Sequence, residues 1–322
     1  MSERLVTLAD VEAARERIAG RVLRTPLVEL RGTGLRLKAE SLQPIGAFKL
    51  RGAFNALLSL TAEERSRGVI ADSSGNHAQA VAYAARALEM RAVIVMPPDA
   101  STVKIEATRG LGAEVDLVEG DDRATQARVA AKRAADEGLV LVPPFEHRDV
   151  IAGQGTLGLE LVQDAPEVDL VLVPVSGGGL ISGVAVAVKS LAPGARVVGV
   201  EPEAVDDARR SLRSGSIESN PAGAEKLTEA DGLRVNRVGE LTFAHIRELV
   251  DDIVTVSEDE ILDAMRTIAR GARLVAEPSG AVTTAAWLHH RDELGDAQAP
   301  VAVLSGGNVE PALLKQALSG SS

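Results

Sequence analysis

Gly46-Ala47-Phe48-Lys49-Leu50-Arg51-Gly52 holds the residue on which the reading of the whole chain turns. An uncharged approach leads to a single amine, and Arg51-Gly52-Ala53-Phe54 reads as the continuing apolar face of a helix. A lysine at a helix start is commonly a solvated surface residue. These neighbours instead favour partial desolvation, which leaves an amine neutral and nucleophilic. Phe48 adds a flat ring beside it, suited to packing against a planar molecule.

Three later stretches supply what such an amine would work with. Ser73-Ser74-Gly75-Asn76-His77 stands where a β-branched run ends and a helix begins. Ser and Asn serve as ordinary N-caps, but this turn carries more hydrogen-bonding capacity than one cap uses. Exposed N–H groups at a helix start suit a carboxylate. Ser176-Gly177-Gly178-Gly179-Leu180 follows the run 168–175 and opens another helix. Consecutive glycines cost conformational entropy and fill no core. Their bare N–H groups and the helix dipole make a cup for phosphate. Ser305-Gly306-Gly307-Asn308 closes the last strand-like run, 301–304; taken alone it is a simple strand-to-helix turn.

In this order the four stretches resemble the fold-type-II pyridoxal phosphate (PLP) enzymes, specifically the threonine/serine dehydratase and serine racemase group. The resemblance runs from Thr25-Pro26-Leu27 to Ser305-Gly306-Gly307-Asn308. It includes Val150-Ile151-Ala152-Gly153-Gln154-Gly155-Thr156 and Ala230-Asp231-Gly232-Leu233. It implies that Lys49 carries PLP as a Schiff base beside Phe48, with Asn76 at the cofactor 3′-oxygen. Ser176, Gly177, Gly178, Gly179 and Leu180 would cradle the phosphate, Ser305 would meet the pyridine nitrogen, and Glu277 belongs to a motif near the cofactor. Ser73, Ser74, Gly75, Asn76 and His77 would grip the substrate α-carboxylate.

Two positions bear on the reaction. Ser74 is serine in the racemases, where it works on the substrate face opposite the lysine; many dedicated threonine dehydratases carry alanine there. A neutral Ser305 does not favour a protonated ring, which suits prompt loss of a β-leaving group. Ser176 replaces the first glycine of the group's usual four. Glu201, Val205 (through its carbonyl) and Asp207 match the spacing of a cation site in the group, although acidic clusters at strand ends are commonly just solvated. Oxygen-only ligands suit Mg²⁺, Ca²⁺ or K⁺ and not zinc.

The resemblance therefore implies an ammonia-lyase that converts L-threonine or L-serine to 2-oxobutyrate or pyruvate plus ammonia. Amino-acid racemisation and dehydration of another β-hydroxy amino acid, such as 3-hydroxyaspartate or phenylserine, stay open. So does an inactive PLP-binding or regulatory protein. Gly239-Glu240-Leu241-Thr242-Phe243 looks more like the bacterial dehydratases. The chain ends soon after its last helix, so no C-terminal regulatory domain, and no feedback control through one, is expected.

Composition bounds the alternatives. The 322 residues suggest two domains. At 45% hydrophobic and 25% charged, the chain can bury a sizeable core. A net charge of −11 argues against nucleic acid and anionic membranes. The absence of cysteine removes disulfides, thiolate metal sites and cysteine nucleophiles. No signal peptide or membrane span is visible, so a cytoplasmic protein is expected, as a homodimer or homotetramer.

Apolar runs alternating with helical patterns predict an α/β fold: two domains, each with a mainly parallel twisted sheet flanked by helices. The expected division is a large PLP-binding domain at 1–50 and 148–322 and a small substrate-loop domain at 51–147. Helices are expected at 76–88, 101–111, 121–137, 206–214 and 258–271. The aperiodic stretch 213–240 reads as a long functional loop. Gly153-Gln154-Gly155-Thr156-Leu157-Gly158 fits the dinucleotide pattern, but two prolines separate it from the preceding strand, so that reading fails on context. The five histidines show no zinc spacing, and His289-His290 reads as a surface pair at a helix end.

Overall fold

A computed structural model describes residues 4–98, 100, 102–118 and 123–320. Of the expected helix starts, Ser101 and residues 121–122 lie outside the described residues. The chain opens with α1 (Leu8–Ile18) and a hairpin of β1 (Leu27–Leu30) and β2 (Leu35–Ala39), then α2 (Lys49–Ser59) and α3 (Ala62–Arg67). Next come β3 (Val69–Asp72), α4 (Asn76–Ala87), β4 (Ala92–Met96), α5 (Thr102–Gly110), β5 (Glu114–Leu117), α6 (Arg123–Glu137) and β6 (Val140–Leu141). The second series is α7 (Arg148–Asp164), β7 (Leu170–Pro174), α8 (Gly179–Leu191), β8 (Arg196–Pro202), α9 (Asp207–Ser214) and α10 (Glu240–Leu249). It ends with β9 (Asp252–Val256), α11 (Glu258–Gly271), α12 (Pro278–His289), α13 (Arg291–Leu294), β10 (Pro300–Leu304) and α14 (Pro311–Ser319).

These strands form two sheets. The larger has the order β1-β2-β10-β7-β8-β9, parallel except for the β1–β2 hairpin; the smaller, β5-β4-β3-β6, is parallel throughout. The unbroken apolar run of β7 follows from burial on both faces. Leu170 and Leu172 join the core with Val254 and Trp287, while Val171 and Val173 join the opposite core with Ile181 and Val303. In the small sheet, Ala71 and Ile94 face α4, whereas Ile70 and Val93 face α6.

Strand order fixes where a ligand can sit. In the large sheet the chain runs β7, β8, β9 in one direction, then returns to place β10 on the other side of β7. In the small sheet it runs β3, β4, β5 and returns with β6 beside β3. Each reversal is a topological switch point, and in open α/β sheets the crevice beyond the strand carboxyl ends at such a point is where ligands bind. The loops at these two points begin at Ser176 and Ser305, and at Ser73 and Pro143.

One sequence expectation changes, and one element was not expected. The β1–β2 hairpin was not foreseen; its strands are four and five residues long, and Arg36 and Lys38 interrupt the apolar pattern of β2. Lys38 is in fact fully buried, donating to the Thr25 carbonyl at 2.6 Å and to Glu160 at 2.8 Å. Arg51 does not lie on a plain apolar face. It is fully buried, pairing with Glu40 at 2.8 Å and Glu160 at 2.7 Å. Burial alone would push the Glu40 carboxyl up, but the Arg51 charge and its hydrogen bonds hold it below the ordinary range. Helix α2 (Lys49–Ser59) packs on both α4 and α7.

The dinucleotide-like glycines lie within α7, and all are buried. A Cβ on Gly153 would stand 2.7 Å from the Arg51 carbonyl, and one on Gly158 2.9 Å from Ala187 Cβ. These glycines let α7 pack closely on α2 and α8, which accounts for the pattern without a nucleotide. The stretch 213–240 contains two short 3₁₀ turns, Ala224–Leu227 and Asp231–Leu233. Among the described residues, no helix is long and apolar enough to cross a membrane.

Candidate active site

The loops at the two switch points meet around Lys49. This residue opens α2 directly after Phe48, whose N–H donates to the Ser305 carbonyl at 3.0 Å. A β-bridge between Ala47 and Gly306 holds the lysine segment against the turn after β10. Lys49 Nζ donates to the Pro144 carbonyl at 2.8 Å, beyond β6, and lies 5.2 Å from the centre of the half-buried Phe48 ring. Lysine, β10 turn and β6 loop are thereby brought together.

The turn 73–77 completes the small-sheet side. Ser73 Oγ accepts from Gly75 N–H at 3.2 Å, and Gly75 is the N-cap of α4 with no side-chain cap of its own. A Cβ built on Gly75 would meet nothing within 4 Å, so this backbone faces open space. Ser74 is half-buried, and its hydroxyl has no hydrogen bond among the described residues. His77 is buried with Nε2 2.9 Å from the Val142 carbonyl, which can only accept, so Nε2 carries the proton. Burial and the Lys49 charge push His77 down to about 3, so it stays neutral and is occupied structurally.

Asn76 ties the two sides together. Its Nδ2 donates to Glu277 at 2.8 Å, and its Oδ1 accepts from Asn308 Nδ2 at 2.8 Å. Glu277 is the N-cap residue of α12 and lies against Gly306. Burial, then the nearby Asp231 charge, pushes its carboxyl up to about 8, so it is protonated at neutral pH. Ser305 is buried, with its hydroxyl 3.4 Å from the Ser279 carbonyl. A further tie across the cleft is Lys104 on α5, paired with Asp231 at 2.6 Å.

The glycine cup lies between β7 and α8. Gly178 is the N-cap of α8 with φ +89°, a conformation L side chains rarely adopt, and no side chain caps this helix. The Ser176 hydroxyl is buried without a hydrogen-bond partner, which is costly in a finished core. An uncapped helix start, a left-handed glycine and an orphaned hydroxyl fit a phosphate group in this cup.

The structure also adds residues that the sequence did not single out. Phe145 packs on Gly177 and Gly179. Thr242 donates to the Gly177 carbonyl at 2.7 Å, and Glu146 accepts from Leu241 N–H at 2.6 Å. The spacing Gly239-x-x-Thr242 is a capping signal, but nothing in the local sequence joins it to a loop more than sixty residues earlier.

Glu201, Val205 and Asp207 stand at the end of β8. Glu201 accepts from the N–H groups of Ala208 (3.2 Å) and Arg209 (2.9 Å), and Asp207 Oδ1 from Asn220 at 2.7 Å. Asp207 Oδ2 is buried with no partner. Burial and the neighbouring Asp207 push Glu201 well up, and burial pushes Asp207 up to about 7. An orphaned Asp207 oxygen beside a second destabilised acid, Glu201, fits a hard cation. No group of three or more metal-ligating His, Asp or Glu side chains occurs among the described residues, so a cation here would need the Val205 carbonyl.

The family model described as pyridoxal-phosphate dependent enzyme matches residues 18–306. The chain belongs to that family. Over 98% of its length it is 44% identical to the L-threo-3-hydroxyaspartate ammonia-lyase of Saccharomyces cerevisiae, of which it covers 97%. It is 45% identical to the L-threonine ammonia-lyase of Thermotoga maritima over 95% of this chain and 76% of that protein. The structure of maize serine racemase superposes with a TM-score of 0.91 at 36% identity, over 98% of this chain and 97% of that one. As a PLP-dependent enzyme of fold type II, the chain thus has relatives named for both elimination and racemisation.

Proposed function

We propose that this PLP-dependent enzyme is an ammonia-lyase acting on L-threonine and L-serine, giving 2-oxobutyrate or pyruvate and ammonia. The observation that carries this reading is the neutrality of the turn after β10. Ser305 is buried and uncharged, and Glu277, the carboxyl packed on that turn, keeps its proton to about pH 8. When bound, PLP would withdraw electrons from the substrate α-carbon; without a carboxylate opposite its ring nitrogen that withdrawal is limited, which favours rapid departure of a β-hydroxyl.

The chain's own residues have these roles in the proposal. Lys49 would hold the cofactor, and its freed Nζ would take the proton from Cα; the β-hydroxyl would leave as water, and hydrolysis of the released enamine gives the 2-oxoacid and ammonia. Ser176 to Leu180 hold the phosphate through backbone N–H groups and the Ser176 hydroxyl. The N–H groups at the start of α4, with Ser73, fix the α-carboxylate so that the Cα–H bond faces Lys49. Asn76, held by Glu277 and Asn308, orients the ring, and Phe48 packs beside it. His77 takes no part in proton transfer, since it stays neutral on the Val142 carbonyl. Glu201, the Val205 carbonyl and Asp207 would hold a structural Mg²⁺, Ca²⁺ or K⁺ beneath this region.

Racemisation is the second reading, favoured by Ser74, whose hydroxyl is unengaged on the turn facing the cleft. The experiment is a panel of L-threonine, L-serine, D-serine and L-threo-3-hydroxyaspartate, with 2-oxoacid and ammonia measured beside chiral chromatography of remaining substrate. The lyase reading expects L-threonine or L-serine to give 2-oxoacid faster than any inversion. Ser74→Ala should keep L-threonine dehydration within about threefold and lose at least about tenfold in D-isomer or racemase turnover. Faster formation of D-serine than of pyruvate would replace this reading with racemisation, and a clear preference for hydroxyaspartate would change the substrate.

A further inference from the structure

The glycine cup is gripped from two sides by residues outside it. On one side, a Cβ on Gly179 would stand 2.9 Å from Phe145 Cβ, and one on Gly177 would overlap the Phe145 ring. On the other side, a Cβ on Gly178 would stand 2.8 Å from Thr242 Cβ. The Thr242 hydroxyl has one proton to give. It accepts from Gly239 N–H at 3.0 Å and lies 2.7 Å from the Gly177 carbonyl but 3.2 Å from the Gly239 carbonyl, so the proton goes to Gly177.

That bond has a directional consequence. In a trans peptide the C=O of Gly177 and the N–H of Gly178 point in opposite directions. Drawing the carbonyl onto Thr242 turns the Gly178 N–H away from α10. Thr242 itself is held by Glu146, whose carboxylate accepts from Leu241 N–H at 2.6 Å and Thr242 N–H at 3.3 Å. Glu146 follows Phe145 and Pro144 in the connector from β6 to α7, and Pro144 accepts from Lys49. One short connector thus touches the lysine, the cup and the residue that orients the cup.

We propose that Thr242, set in place by Glu146, is a positioning residue for the glycine cup and determines how tightly it holds a phosphate group. The inference rests on the reading of residues 176–180 as a phosphate cup. Its test measures PLP affinity of the full-length chain by absorbance titration, beside melting temperature without PLP, for wild type, Thr242→Val and Thr242→Ser. Thr242→Val keeps the volume and removes both the donor to Gly177 and the acceptor of the Gly239 N–H. It should bind PLP about tenfold more weakly and also melt lower without PLP, because Gly177 and Gly239 lose their partner, but keep its affinity for pyridoxal, while Thr242→Ser stays within about twofold of wild type for PLP. Should Thr242→Val not fold, Glu146→Gln replaces it, with a loss of about threefold expected and no loss overturning the inference.

Affinity of Thr242→Val within twofold of wild type overturns the inference, as does an equal loss of melting temperature in Thr242→Val and Thr242→Ser with no difference in affinity. Pyridoxal, which lacks the phosphate, separates the two layers. Wild type binding pyridoxal as tightly as PLP removes the cup reading and the inference with it. A strong preference for PLP combined with unchanged Thr242→Val overturns the inference alone.

Discussion

Two sets of helix starts among the described residues contrast. In α1, α3 and α11 a Thr or Ser caps the first turn and an acid three residues on reaches back, as Thr7 with Asp10, Thr61 with Glu64 and Ser257 with Glu260. In α2, α4 and α8 the N-cap residues are Phe48, Gly75 and Gly178, and no side chain caps any of them. A reciprocal cap contributes about 1 kcal/mol, so the second set forgoes stability that the first set takes. The starts of α4 and α8 lie in loops at the sheets' switch points, and that of α2 is held against the turn after β10; the N-cap residues of α9, α10, α12, α13 and α14 make no side-chain cap either. At α4 and α8 the open N–H groups are free to meet an anion, whereas α2 carries the buried pairing of Arg51 with Glu40 and Glu160.

Closing a bare start should have the largest effect. Gly178→Val forces a side chain into a left-handed φ and against Thr242. Loss of PLP affinity of at least about 100-fold is expected by absorbance titration, with overpacking costing on the order of 1–3 kcal/mol in melting. If the variant binds PLP normally, the bare start of α8 is not what holds the phosphate.

A second effect separates the β8 site from the bare starts. Mg²⁺, Ca²⁺ or K⁺ should raise the melting temperature of wild type, and Asp207→Asn should abolish that response. At about 100 times the cation Kd the stabilisation would be about 2.7 kcal/mol. Identical melting curves with each cation and with chelator would remove the cation from the account.

Glu277 gives a pH signature. Its folded pKa, raised to about 8, exceeds the unfolded value, so between about pH 4.5 and 8 the unfolded chain has released a proton that the folded chain keeps. Stability should therefore fall across that window, by at most about 1.4 kcal/mol per pH unit. Glu277→Gln should flatten that slope in denaturant titrations, and an unchanged slope would mean that Glu277 is ionised in the fold.

The smallest effect is the control. Thr61→Ala removes a cap far in function from the cleft and should lower stability by about 1 kcal/mol while leaving PLP affinity unchanged. A change in affinity would blur the distinction between the two sets of helix starts.

Much of this was legible in the sequence for a physical reason. Strands buried on both faces, such as β7 and β10, read as unbroken apolar runs, and glycines that no core needs stand out at 177–179. The lysine segment, the turn at 73–77 and the turn at 305–308 were visible as separate pieces, and the structure brings them into one cleft. What was not legible depends on partners distant in the chain. Lys38 carries no sign of burial in the sequence, and Arg51 stands in an otherwise apolar helix face with no partner in view, until Glu40 and Glu160 are seen to pair with them. Phe145, Glu146 and Thr242 matter because β6 ends beside β3 and α10 packs on α8, and local residue patterns do not encode those neighbours.

The central claim is that the bare starts of α2, α4 and α8 surround one reactive amine, Lys49. It is tested most directly by reducing the PLP-loaded protein with borohydride, digesting it and locating the fixed cofactor by peptide mass spectrometry. The account predicts a single modified peptide spanning Lys49, and neither modification nor 2-oxoacid formation in Lys49→Ala. Cofactor fixed on another lysine, or a Lys49→Ala variant that still binds PLP covalently and turns over normally, would contradict it.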